Sequence, residues 1–210
     1  MAVQVKNLSD ELIDTICRAI GDSFFDHDYG EKEKGLRKFI PDREVMFRYM
    51  KAIFGAGLKS GTVYATSERG EGYILLNGSK QEKVKIGPSL IMVKDIIKAL
   101  GGVRNAMQFM KEIKIGGIPL DDKLKKEKKD YLQVVMLVVL KEYQGQGYMR
   151  QLMEIAYEKA DAYGVPCILD TDAQNKLDKY CHLGMRHVGI RKVAEDCYLY
   201  DLMRGVNHVE

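Results

Sequence analysis

The stretch from Tyr131 to Gly164 constrains this chain more than any other. It reads YLQVVMLVVLKEYQGQGYMRQLMEIAYEKADAYG. Leu132 to Leu140 is an apolar run broken only by Gln133, with the length and Val/Leu content of a buried strand. A short polar turn with Gly145 and Gly147 follows. Met149, Leu152, Met153, Ala156 and Ala160 then recur as one face of a helix. Strand, glycine turn and helix in that order aim free backbone N–H groups and the positive end of a helix dipole at one spot. Such a spot suits an anion, for example a pyrophosphate.

The elements around this unit can be read from local signals. Residues 3–6 are expected as a strand, and Ser9-Asp10-Glu11 opens a helix running to about Phe25. The polar stretch DHDYGEKEKGLRKFI is expected as a loop ending in a short helical turn. Pro41 is placed to start the next helix, which is expected to end near Gly55 or Gly57. Thr62–Ser67 and Gly72–Leu76 form a hairpin around Gly70. Between 77 and 130 lie two stretches of helical apolar spacing, LIMVKDIIKAL and VRNAMQFMKEIKI, parted by Gly101-Gly102. The run DDKLKKEKKD mixes acids with lysines and reads as a solvated helix face rather than a nucleic-acid arm. Beyond the central unit come a strand at 165–169, a polar turn at 170–175, and a helix at 176–183 closed by Gly184. Two more strands complete the chain, at 186–193 and 197–203. The tally is an α/β (α+β) fold: one mixed sheet of about seven strands with helices on both faces.

Composition narrows the function. The 210 residues suffice for one domain with a substantial core, and a net charge of +3 is too small to argue for nucleic acid. No signal peptide opens the sequence, and no apolar run approaches the ~20 residues of a spanning helix. The expectation is a cytoplasmic protein with no membrane partner. Cys17, Cys167, Cys181 and Cys197 have no C-x-x-C spacing, so no metal is expected, and free thiols in a reducing compartment are the reading.

Three phosphate-binding designs share the strand–glycine–helix logic. The P-loop requires Lys-Ser/Thr after its last glycine, whereas Gly147 is followed by Tyr-Met-Arg. The dinucleotide motif requires a third glycine where Arg150 stands. Asp170 lies near the right distance for its acidic partner, but too few residues remain for the further β-α-β units. The third design agrees: Gln144-Gly145-Gln146-Gly147-Tyr148-Met149 resembles the Q/R-x-x-G-x-G/A signature of the GNAT superfamily of acetyl-CoA-dependent N-acetyltransferases. Upstream, Leu137-Val138-Val139-Leu140-Lys141 resembles the family's L-x-V-x-P turn, with Lys141 where proline is usual. Downstream, Asn175 and Tyr180-Cys-His-Leu-Gly184-Met185 resemble its N…Y-x-x-x-G-F segment. Met149 and Met185 depart from the small residue and the Phe of those patterns.

The resemblance implies a single GNAT-type domain over 1–210, its mostly antiparallel sheet splayed at the centre, with a helical insert at about 77–130. It implies transfer of an acetyl group from acetyl-CoA to a primary amine of a small molecule or peptide. The backbone from Gln144 to Met149 would hold the pyrophosphate, and the strand edge at Leu137, Val138 and Val139 would pair with the pantetheine arm. Asn175 would bond the same arm, and Tyr180 would protonate the departing thiolate. An ammonium near pKa ~10.4 also needs a base. Asp170, Asp172 and Glu71 are the candidates, with Asp170 preferred; His182 and His187 read as surface or satisfied histidines. The insert is expected to wall the acceptor side. A homodimer is compatible with the resemblance. The alternative function is a non-catalytic GNAT-fold module that binds acyl-CoA as a sensor or assembles with a partner.

Overall fold

A computed structural model describes residues 3–6, 8–40 and 42–206. Strand β1 (Val3–Gln4) precedes helix α1 (Asp10–Phe25), whose first turn is capped by Ser9 Oγ accepting from the Leu12 amide. A short 3-10 turn at Gly35–Lys38 leads to α2 (Arg43–Ser60), capped by Asp42. The expected start at Pro41 lies outside the described residues.

Helix α2 does not stop at Gly55 or Gly57. It ends at Ser60, and Gly61 takes the left-handed conformation (φ 78°) that closes it. Gly57 is instead a point of close packing: a Cβ there would lie 2.4 Å from Leu75 Cδ1. The glycine that looks like a stop thus lets the helix lie against the next strands.

Strands β2 (Val63–Ala65) and β3 (Gly72–Gly78) form the expected hairpin, with β3 running two residues further to pair Asn77 and Gly78 with Gln133 and Leu132. Three helices occupy the insert: α3 (Ile86–Ala99), α4 (Val103–Lys114) and α5 (Leu120–Lys126). The last is not polar all round, because Leu124 is buried against Tyr131 and Ile168. Then come β4 (Leu132–Val139), α6 (Tyr148–Tyr163), β5 (Cys167–Thr171), α7 (Gln174–His182), β6 (Arg186–Ala194) and β7 (Cys197–Arg204).

Strand β5 begins two residues later than expected and includes Asp170, which was read as a turn residue. The Val165 amide still serves the end of α6, donating to Ala160 O at 3.0 Å. Asp170 and Thr171 pair with Asp201 and Tyr200 of β7 and so belong to the sheet.

The described strands form one seven-stranded sheet in the order β1-β2-β3-β4-β5-β7-β6, antiparallel except between β4 and β5. One face packs on α6 and α7 through residues such as Ile74, Leu132, Leu152 and Ala156. The other packs on α1 and α2 through Ile20, Phe54, Leu75 and Met136. Strand β4 changes faces midway. The register slips between Leu75 and Leu76, leaving Val135 as an extra residue opposite β3. Leu132 and Val134 therefore face α6, while Met136 and Val138 face α1 and α2.

Candidate active site

The parallel pairing of β4 with β5 lasts only from Leu132 and Gln133 to Cys167 and Ile168. Beyond it the strands part, and the gap is a cleft of about 970 Å³. Its two walls differ in chemistry.

The first wall is β4 and its glycine turn. The Leu140 amide donates to Glu71 O at 3.0 Å, and antiparallel alternation then turns the backbone of Val138 and Met136 towards β3. The main-chain groups of Leu137 and Val139 face the open side. Of the three strand residues expected to bind the pantetheine arm, Leu137 turns its backbone to the cleft, Val139 offers its amide there while its carbonyl accepts from Gln144 Nε2, and Val138 turns away.

Gly145 (φ 77°) and Gly147 (φ 86°) occupy the left-handed region, which explains glycine at both. The side chains of Gln144 and Gln146 fold back on the turn, donating to Val139 O and Glu142 O at 3.1 Å each. They brace the loop, and the Gln144 amide, expected to help hold the pyrophosphate, instead donates to Lys141 O at 3.4 Å. The first hydrogen bond of α6 runs from the Gln151 amide to Gly147 O, so the amides of Tyr148, Met149 and Arg150 lie at the uncapped end. Gln144, Gly145, Gly147, Tyr148 and Met149 line the cleft; Gln146 does not. This arrangement of donors, with no Cβ at either left-handed position and with Arg150 beside it, fits a diphosphate.

The opposite wall is β5, α7 and the segment after α1. Asp170 reaches the cleft while pairing with Arg191 (2.7 Å), which also holds Asp201 (2.9 Å). The Asp170 side chain keeps 40% of its surface and lines the cleft. Burial raises its pKa above the ordinary carboxylate value, against the lowering effect of Arg191.

Asp172 is different. It accepts from Tyr29 Oη (2.7 Å), the Leu36 amide (2.8 Å) and Lys176 Nζ (2.8 Å). Despite burial, Lys176 and these donors hold its pKa low, so it is a fixed anion tying the 29–36 segment to the cleft. Glu71 accepts from Thr66 and Ser67 at 2.7 Å each, has a lowered pKa through those bonds, and lies outside the cleft. Of the three candidate bases, Asp170 alone combines access with raised basicity.

Tyr180 is buried on α7 and lines the cleft, and no protein group bonds its hydroxyl among the described residues. Burial, then the charge of Asp172, raises its pKa above that of a free phenol. Asn175 does not line the cleft. Its amide is taken up by His27 Nε2 (2.9 Å) and Asp28 O (2.7 Å).

Sequence reasoning missed Tyr49, His27, Arg150 and Lys179, all on the cleft lining. Tyr49 is pushed up to about 12 by burial and by Asp170. His27 is lowered by burial and by Lys176. Arg150, in the first turn of α6 directly after the glycine signature, could have been found from its position. The other three could not, since long-range packing brings them in. From the insert only Ile113 reaches the cleft. Among the described residues no three of His, Cys, Asp and Glu converge as metal ligands, and no helix is long and apolar enough to cross a membrane.

A splayed mixed sheet with an amide cradle at a helix start defines the GNAT class of fold. Comparison with known proteins agrees. Residues 112–183 match the family described as acetyltransferase (GNAT), a span that holds the glycine turn and Tyr180. The chain is similar in structure to arylalkylamine N-acetyltransferase 2 from Aedes aegypti, with a TM-score of 0.59 at 14% identity, covering 99% of each chain. It is also similar to a histone acetyltransferase HPA2-related protein from Corynebacterium glutamicum (0.58, 11% identity, 98% of this chain and 96% of that one). A third is a polyamine N-acetyltransferase from Drosophila melanogaster that forms N-acetylagmatine (0.51, 13% identity, 98% and 99%). A search of curated protein sequences finds no match. This chain has the GNAT fold, and its family match covers the stretch that carries the motif.

Proposed function

We propose that this protein is an N-acetyltransferase, a single catalytic domain that moves an acetyl group from acetyl-CoA to a primary amine. The observation that carries this reading is the open edge of β4 running into the amide cradle, opposite a carboxylate and a phenol. The amides from Gly145 to Arg150 bind the diphosphate, and the Arg150 and Lys179 charges favour the same anion. The Leu137 and Val139 backbone pairs with the pantetheine amides as an added strand would. Acetyl-CoA supplies an activated carbonyl carbon.

Asp170 takes a proton from the ammonium, so that the free amine can form the C–N bond as the C–S bond breaks. At pH 7 that deprotonation costs about 4–5 kcal/mol for an amine of pKa ~10.4, and a carboxylate of raised basicity lowers the cost. Tyr180 donates its hydroxyl proton to the departing sulfur, the second proton leaves the nitrogen as the amide forms and restores the phenol, and Asp170 returns the first to solvent. The raised pKa of Tyr180 keeps its proton in place at neutral pH, and the same apolar surroundings make a thiolate more basic. The products are an N-acetyl amide and CoA thiol. Met50, Ile53, Phe24 and Ile113 line the cleft and favour an amine carried on an apolar skeleton. The arylalkylamine and agmatine enzymes named above accept amines, which supports this substrate class.

The test is thiol release from acetyl-CoA against a panel of arylalkylamines, polyamines, amino acids, aminoglycosides and peptide N-termini. Turnover is expected with at least one, and Tyr180→Phe is expected to lower kcat at least ~10-fold with CoA affinity nearly unchanged. A protein that binds CoA but releases no thiol with any amine would be a binding module instead.

A further inference from the structure

Helices α3 and α4 carry apolar surface that the fold leaves uncovered. Ile86, Leu90 and Val93 stand at i, i+4 and i+7 on α3, and Val103, Met107 and Met110 repeat that spacing on α4. Each set forms one stripe along its helix. All six residues are exposed, from 48% at Met110 to 78% at Ile86. Burial on these helices lies at Ala99 and Phe109, on the far sides, and at Ala106, on the flank of the α4 stripe. None of the six lines the cleft, and each set runs along an outer helix surface.

The charge around the stripes is one-sided. Lys94 directly follows the α3 stripe and Lys111 the α4 stripe, in equivalent positions. From 83 to 118 there are seven Lys or Arg against Asp95 and Glu112, an excess of five positive charges in a chain whose total is +3. None of the seven cations has an ion-pair partner among the described residues.

Exposed apolar stripes of this size are unusual on a protein that stands alone. A second copy would cover them only by bringing like charge against like charge. A surface that is anionic outside and apolar just beneath satisfies both features at once. We propose that α3 and α4 dock this protein onto the surface of an anionic phospholipid bilayer. The stripes sit at the acyl boundary, with Lys94, Lys111 and their neighbours among the headgroup phosphates. The expectation of no membrane partner rested on the lack of a spanning segment, and surface docking requires none. Ile113 is on α4 and also lines the cleft, so docking places the cleft close to the lipid surface.

The test is sedimentation of the full chain with phosphatidylcholine vesicles, with and without phosphatidylserine at about a third of the lipid, in low and high salt. Binding is expected only to the anionic vesicles and should fall with salt as the Debye length shrinks. Leu90→Asp with Met107→Asp, and separately Lys94→Glu with Lys111→Glu, should each weaken it at least ~10-fold. These positions are exposed, and an unchanged melting temperature identifies folded variants. No binding to anionic vesicles at low salt would overturn the proposal, as would binding undiminished in both folded variants. A wild-type dimer that Leu90→Asp with Met107→Asp converts to monomer would also overturn it, by assigning the surface to a second copy.

Discussion

Replacing Asp170 by Asn is expected to lower kcat/KM by about 10²–10⁴-fold, the usual range for loss of a positioned general base. The pH profile carries the diagnostic sign. With Asp170 as base, the rate rises as pH climbs through its raised pKa, and the variant loses that limb. Stability should move the other way. A carboxyl whose folded pKa is raised contributes stability that is complete below its unfolded value and is lost as pH rises through the folded value. At pH 7 the charged form is therefore a cost to the fold, and Asn, which carries no charge, removes it. Arg191 keeps Asp201 as a partner in the variant. The expected outcome is an inactive enzyme with an unchanged or higher melting temperature, measured by steady-state kinetics and thermal denaturation on the same preparation. Activity lost together with stability would instead mark Asp170 as structural.

Gly147→Val is expected to weaken CoA binding by about 10- to 150-fold, as one charge-assisted amide bond of about 1.5–3 kcal/mol is lost. The φ of 86° suits a β-branched residue poorly, so the turn must re-form and its amides turn away. Gly164 provides the control. It sits at the other end of α6, is also left-handed (φ 67°), and has open space around its Cβ position. Gly164→Val should strain the backbone comparably and leave CoA affinity within about twofold, since no anion site lies there. Calorimetric titration of both variants separates a local effect on the cradle from general destabilisation of the helix.

The central unit was legible because its signals are local. The apolar strand, two glycines that need positive φ, and a helix periodicity all lie within one short stretch, and the GNAT motifs lie in and around it. The succession of elements along the chain around it followed from turn residues and apolar spacing, whereas the order of strands in the sheet did not. Three features were not legible, each for a non-local reason. The change of face at Val135 is invisible in a run that is apolar on both sides, because only pairing with β3 reveals the bulge. The extension of β5 to Asp170 and Thr171 depends on those residues finding β7. The sorting of the acids depends on which donors arrive: Tyr29 and Leu36, distant in sequence, fix Asp172, while His27 and Asp28 occupy Asn175. The insert was read as helical and expected to wall the acceptor side, but of its residues only Ile113 reaches the cleft. Periodicity gives an apolar face without saying what covers it.

The most direct test of the account is a titration of the full chain with CoA, followed by calorimetry and by thermal shift. At about 100 times Kd, one-site binding stabilises by roughly 2.7 kcal/mol, which for a chain of this size raises the melting temperature by about 5–10 °C. The account predicts one site per chain, measurable heat, and a shift of that size that falls sharply in Gly147→Val. No heat and no shift at millimolar CoA would contradict it.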